Sequence, residues 1–164
     1  MAVREVLRYP HPALRERAAP VTDLAVAERV AADLLDTMEA AGHSVGVAAP
    51  QIGEPVRVCV VDCSGHPKAA ASHGRLLLVN PRLELGAETA IGREGCMSIP
   101  ELTANVRRAL RVVVFASTPA GDPLEIEAEG FEARAIQHEV DHLDGLLFLD
   151  RVANRATDVF RRRR

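Results

Sequence analysis

Apolar side chains recur at helical spacing along residues 24–41. Leu24, Ala27, Val30, Ala31, Leu34, Leu35 and Met38 form the one-sided stripe of an amphipathic helix. Asp23 stands where an N-cap belongs and Gly42 ends the pattern. A second stripe, Ile136, Val140 and Leu143, runs through residues 135–143. That segment is dominated by Ala, Ile, Glu and Leu, with Gly145 at the position of a C-terminal cap. The two stripes predict a packing helix and a buried central helix. Between them the period shortens. Residues 56–61 read as a buried strand, with Cys63 at its exit. Residues 76–80 and 82–85 read as strands broken at Pro81, and 111–117 and 124–128 as a hairpin around Pro119 to Asp122. Residues 1–21 form an irregular arm punctuated by Pro10, Pro12 and Pro20, and 64–74 a loop that exposes His66 and His73. After the central helix, Asp150 caps a short helical tail that ends in Arg161 to Arg164. Short strands around one central helix predict an α+β fold, with mainly antiparallel sheets and a short C-terminal helix.

At 164 residues the chain is expected to form a single catalytic domain, 1–164. Hydrophobic residues make up 48% but aromatics only 3%, so the core must be Leu, Val, Ala and Ile, with Phe131 and Phe148 near the central helix. A net charge of −3 argues against a general nucleic-acid binder and against DNA as a partner. Three cysteines argue against a disulfide framework and for a reducing, cytoplasmic setting. Pro10 and Pro12 interrupt the stretch a signal peptide would need, and no apolar run reaches the roughly 18 residues of a membrane span.

The chemistry is concentrated in the central helix. Residues 137–142 read Gln-His-Glu-Val-Asp-His. Positions four apart on a helix share one face, so His138 and His142 can aim two imidazoles at one divalent metal. Glu139 lies about 100° further round, where a carboxylate can take the proton of a metal-activated water. With six histidines in the chain, chance would supply such a motif on the order of 0.02 times. Two core histidines bonded to backbone carbonyls are the bland alternative. That arrangement would leave Glu139 and Asp141 to be desolvated in an otherwise apolar helix without a metal.

A third ligand is needed, with one position left open for water. No Glu, His or Cys follows His142. Asp144 and Asp150 remain, the latter better suited to capping. Upstream stand Cys59, Cys63, Cys96 and four other histidines. Cys59 and Cys63, four strand residues or about 13 Å apart, cannot both reach one ion and read as core thiols. Cys96 stands out, because Gly95 precedes it and Pro100 follows four residues on, in a segment that can turn backbone N–H groups toward a ligand. A Cys/His/His set would accept Zn, Fe(II), Co or Ni.

Three segments, in order, resemble the peptide deformylase family. Ser44-Val45-Gly46-Val47-Ala48-Ala49-Pro50-Gln51 is similar to Gly-x-Gly-x-Ala-Ala-x-Gln, Glu94-Gly95-Cys96-Met97-Ser98 to Glu-Gly-Cys-Leu-Ser, and Gln137 to His142 to Gln-His-Glu-x-Asp-His. The opening, Leu7 to Arg15, also looks like the family's start, so the resemblance spans nearly the whole chain. Ser44 and Met97 depart from the pattern. A position that demanded positive φ would make Ser44 costly, whereas the family uses the backbone N–H at Met97.

The resemblance implies a metal-dependent hydrolase that removes the N-formyl group from the N-terminal methionine of newly made polypeptides, releasing formate. It implies Cys96, His138 and His142 as metal ligands, Glu139 as the base, and Gln51 with the Met97 N–H as oxyanion donors. Fe(II) is the implied physiological metal, with Ni, Co or Zn as replacements. Val45, Gly46, Glu94, Gly95 and Arg134 are expected to border the peptide, although Arg134 could instead pair with Glu94 or Glu132. The substrate is the N-formylmethionyl nascent peptide, and Arg161 to Arg164 leave room for a transient ribosome contact. A deformylase-like hydrolase of another acyl amide or peptide is the alternative reading, and a domain with a structural metal is a more distant one.

Overall fold

The computed structural model describes residues 2–162. Two helices and eight strands succeed one another as α1 (Leu24–Ala41), β1 (Gly46–Ala48), β2 (Val58–Asp62), β3 (Arg75–Leu85), β4 (Thr89–Cys96), β5 (Ile99–Ala109), β6 (Arg111–Ser117), β7 (Pro123–Glu129), α2 (Gly130–Leu143) and β8 (Val159–Arg161). Five strands form one antiparallel sheet in the order β1-β2-β3-β6-β7, and β4-β5-β8 form a second. The α+β architecture with antiparallel sheets is the one expected.

Strand β2 explains how the layers assemble. Its residues Val58, Cys59, Val60 and Val61 are all fully buried, because both faces of the sheet are covered. Val58 and Val60 face α1, packing with Ala27, Val30, Leu34 and Met38. Cys59 and Val61 face α2, packing with Ala133, Ile136, Val140 and Leu143. A continuous apolar run is what a strand between two helices requires. A third cluster joins Leu14, Leu147 and Phe148 to Cys96, Ile99, Ala104 and Val106 of the smaller sheet. Helix α2 is thus central, buried on nearly every side.

The termini of α1 match the expectation. The Asp23 side chain accepts from the Ala25 N–H, and Gly42 closes the helix at φ 77°. Pro81 does not end its strand as expected. β3 runs through it with a register shift between Val79 and Arg82, and Asn80 at φ 51° absorbs the irregularity. The stretch around Cys96, read from sequence as a segment that can turn backbone N–H groups toward a ligand, is the turn of the long β4–β5 hairpin. The expected C-terminal helix is present as a single 3-10 turn, Phe148–Arg151. Beyond it the helical tail gives way to β8, because Val159 and Phe160 pair with the open edge of β5. Arg163 and Arg164 lie outside the described residues.

Candidate active site

Three ligand-type atoms converge at the centre. Those of Cys96, His138 and His142 lie within 4.8 Å of one another, and all three residues are buried. Two come from successive turns of α2 and one from the tip of the β4–β5 hairpin. The His142 Nε2 lies 3.4 Å from Cys96 Sγ. His138 Nδ1 is hydrogen-bonded to Glu94 Oε1 at 2.8 Å, which leaves Nε2 as the ring nitrogen free to ligate. Burial opposes ionisation of Cys96, but the imidazoles of His142 and His138 overcome it and hold the thiol well below its ordinary range. Burial likewise opposes a charge on His138, yet its bonds to Cys96 and Glu94 hold it well above its ordinary value. A thiolate beside two imidazoles is the ligating form of this set and fits a divalent metal.

Glu139 stands beside these ligands with an unusual environment. It is 5% exposed, and its Oε1 has no hydrogen-bond partner among the described residues. Burial pushes its carboxyl up to about 7. The charges of Cys96 and Glu94 push the same way, against His138 and His142. An unpaired carboxylate buried in front of a ligand triad is costly unless a proton-bearing ligand meets it.

Gln51 lines the same cleft as Glu139. The 3-10 turn Ala49–Ile52 buries it, and its Oε1 accepts from the Ala48 N–H at 2.9 Å. This bond fixes the amide so that Nε2 donates inward, to Ser98 Oγ at 3.0 Å and toward Cys96 Sγ at 3.5 Å. Ser44, Val45, Gly46, Gln51, Gly95, Cys96, Met97, His138 and Glu139 all line one cleft of about 520 Å³.

Around the triad runs a buried ionic network. Arg108 on β5 forks onto both oxygens of Glu94 at 2.9 Å and also reaches Asp141. Arg134 adds a 2.8 Å bond to Glu94 Oε2 and bonds to the carbonyls of Val106 and Ala90. Burial opposes the charge on Glu94, but Arg108 and His138 hold its carboxyl far below the usual range.

Comparison with known proteins places the chain in a family. A family model for polypeptide deformylase matches residues 3–158. The chain belongs to the polypeptide deformylase family. A curated relative from Vibrio cholerae, peptide deformylase 2, is 42% identical over 150 residues, covering 92% of this chain and 86% of that one. A peptide deformylase from Acidothermus cellulolyticus is 44% identical over 153 residues, with 93% and 80% covered. Among solved structures, the Met-Ala-Ser-bound class I type b peptide deformylase from Acinetobacter baumannii superposes with a TM-score of 0.85 at 36% identity. That match covers 92% of this chain and all of that one.

Within this deformylase-family chain, every site residue that the resemblance implied lines the cleft except His142, which is buried. Glu94 borders the cleft, and its carboxylate is engaged by Arg108, Arg134 and His138. Arg134 lines the cleft and pairs with Glu94. Ser44 does not adopt positive φ. Its Oγ instead donates to the Gly46 carbonyl at 2.7 Å, so this departure from the motif strains nothing. Asp144 pairs with Arg57, and Asp150 accepts from the Leu147 N–H. Neither approaches the triad, and among the described residues no fourth ligand joins it. His66, expected to be exposed, is half-buried and stacked on Phe131 at the cleft wall. Arg108 carried no local signal, since its role exists only once β5 is laid beside α2, and Ser98, though part of a motif, gave no sign that it meets Gln51.

Proposed function

We propose that Cys96, His138 and His142 hold a divalent metal and that Glu139 moves the proton in a formyl-amide hydrolysis. The reaction follows from the family. The chain is a metal-dependent hydrolase that removes the N-formyl group from the N-terminal methionine of newly made polypeptides, releasing formate. The observation that carries the residue roles is the buried, unpaired Glu139 carboxylate beside the ligand triad.

A metal held there would lower the pKa of a water molecule and polarise the formyl carbonyl. Glu139, with its carboxyl near neutrality, accepts the water's proton and returns it to the leaving nitrogen. Gln51 Nε2, aimed by its Ala48 bond, and the Met97 N–H donate to the developing oxyanion. Val45, Gly46 and Gly95 border the peptide backbone. Arg134 closes the wall while holding Glu94, and Glu94 keeps the His138 ring in place. The apolar stretch of the cleft, with Phe131 and Ala135, takes the methionine side chain.

Fe(II) is the physiological ion we propose, with Ni, Co and Zn accepted by the same soft donor set. The thiolate makes an Fe(II) form sensitive to oxygen. One catalytic domain and a cytoplasmic site of action fit a nascent-chain substrate and three unpaired cysteines. No helix is long and apolar enough to cross a membrane. A transient ribosome contact is supported by Arg161, an exposed cation on an edge strand.

Formate release from an N-formyl-methionyl peptide tests the proposal, using protein loaded anaerobically with Fe(II) or Ni. Release that Glu139→Ala abolishes supports reaction and base together. Folded, loaded protein that releases no formate overturns it.

A further inference from the structure

The last described residue points into the cleft. Strand β8 pairs with β5 through Leu102 with Arg161, Thr103 with Phe160 and Ala104 with Val159. The Arg162 N–H then bonds the Glu101 carbonyl at 2.8 Å, and the Arg93 guanidinium lies 3.8 Å from the centroid of the Phe160 ring. These contacts fix the backbone of Arg162. Its side chain lines the same cleft as Glu139 and brings the tip of its guanidinium against Gly95, so close that a Cβ there would overlap Nη2. Gly95 immediately precedes Cys96, so this guanidinium sits one residue from a proposed metal ligand.

Arg162 differs from the other cations of the cleft. Arg134 is held by Glu94 and two carbonyls, and Arg93 by Asn105, Thr103 and the Phe160 ring. Arg162 has a buried Nε with no partner among the described residues, and it forms no ion pair with them. The acidic residues of the same wall offer it nothing. Glu94 is bound by Arg108, Arg134 and His138, and Glu139 belongs to the reaction. A guanidinium is charged at any working pH and presents a planar fork of donors. Left half-buried and unpartnered at a substrate cleft, that fork requires acceptors from whatever enters.

We propose that Arg162 is a substrate-specificity residue that binds a carboxylate side chain of the peptide shortly after the formyl-methionine, so that acidic segments are preferred over basic ones. Lys68 on the same cleft adds charge of the same sign. The preference rests on the deformylase reading for its substrate, but the cation can be read without turnover.

The test compares amidated formyl-Met-Ala-Asp and formyl-Met-Ala-Lys at low salt, with metal-loaded wild type, Arg162→Ala, Arg162→Lys and Arg161→Ala. Wild type is expected to favour the acidic peptide by about five-fold in KM, shrinking as salt is raised. Arg162→Ala should bring the two KM values together, with the loss in KM rather than kcat. Arg162→Lys should keep part of the preference, and Arg161→Ala, exposed and outside the cleft, all of it. Calorimetry with amidated, unformylated Met-Ala-Asp and Met-Ala-Lys reads the same contact as binding. An acidic preference in binding without hydrolysis of any peptide overturns the deformylase reading and supports Arg162. Equal affinities in wild type, or a preference unchanged by Arg162→Ala, overturn the Arg162 proposal.

Discussion

Glu139 Oε2 occupies the space a side chain on Gly46 would need, for a Cβ built there stands 2.7 Å from it. The loop carrying Gly46 and the helix carrying Glu139 are therefore fitted to each other at the reacting centre. Gly46→Ala should displace the carboxylate rather than unfold the chain, since the obstacle is a side-chain end. We expect kcat to fall about 10- to 100-fold with metal content and thermal unfolding little changed, measured by formate release, metal analysis and calorimetry.

Glu139→Gln should lower kcat by about 10²- to 10⁴-fold. It should also change how metal-free protein responds to pH. Burial raises the folded carboxyl from 4.5 to about 7, so its neutral form is favoured in the fold. The stability this supplies is fully present below pH 4.5 and lost as pH rises through 7. Against Glu139→Gln, the wild-type urea midpoint should be relatively highest at low pH, decline toward 7 and then level off. Parallel curves for the two proteins would contradict the assignment.

Arg108→Met leaves Glu94 and Asp141 buried without their shared cation. The expected cost is about 3–5 kcal/mol in urea unfolding. Glu94 would also hold the His138 ring less firmly, so metal affinity should weaken about 10- to 100-fold in a chelator competition. Because the folded Glu94 carboxyl is held far below its ordinary 4.5, the stability it lends exists above that pH and is lost as pH falls below it.

The three thiols should differ sharply in reactivity. Burial pushes Cys63 up to about 12 and Cys59 higher still, while the imidazoles hold Cys96 low. Iodoacetamide at pH 8 on metal-free native protein should label Cys96 alone, read by peptide mass spectrometry, and a bound metal should protect it.

Sequence reading was most accurate where the cause is local. The bounds of α1 follow from Asp23 and Gly42, and the paired imidazoles follow from helical periodicity. The buried nature of β2 was legible because four successive apolar residues need cover on both faces. The β4–β5 hairpin was missed because half the residues of β4 are charged or glycine, and buried positions such as Arg108 and Glu94 are satisfied by each other. β8 and Arg162 depend wholly on an edge supplied by β5, more than fifty residues upstream, so no local pattern could announce them. The motif resemblance located Cys96, but it gave no sign that Glu94 also bonds the His138 ring.

Cys96 belongs to the smaller sheet, whereas His138 and His142 belong to the helix packed on the larger one. An ion bound by all three is consequently a clasp across the two halves, and its binding energy is also folding energy. Oxidation of the single thiolate would remove that tie along with the chemistry, leaving the halves joined by the bonds of Arg108, Arg134 and Glu94. A copy that lacked the ion would thus lose a margin of stability together with the reaction.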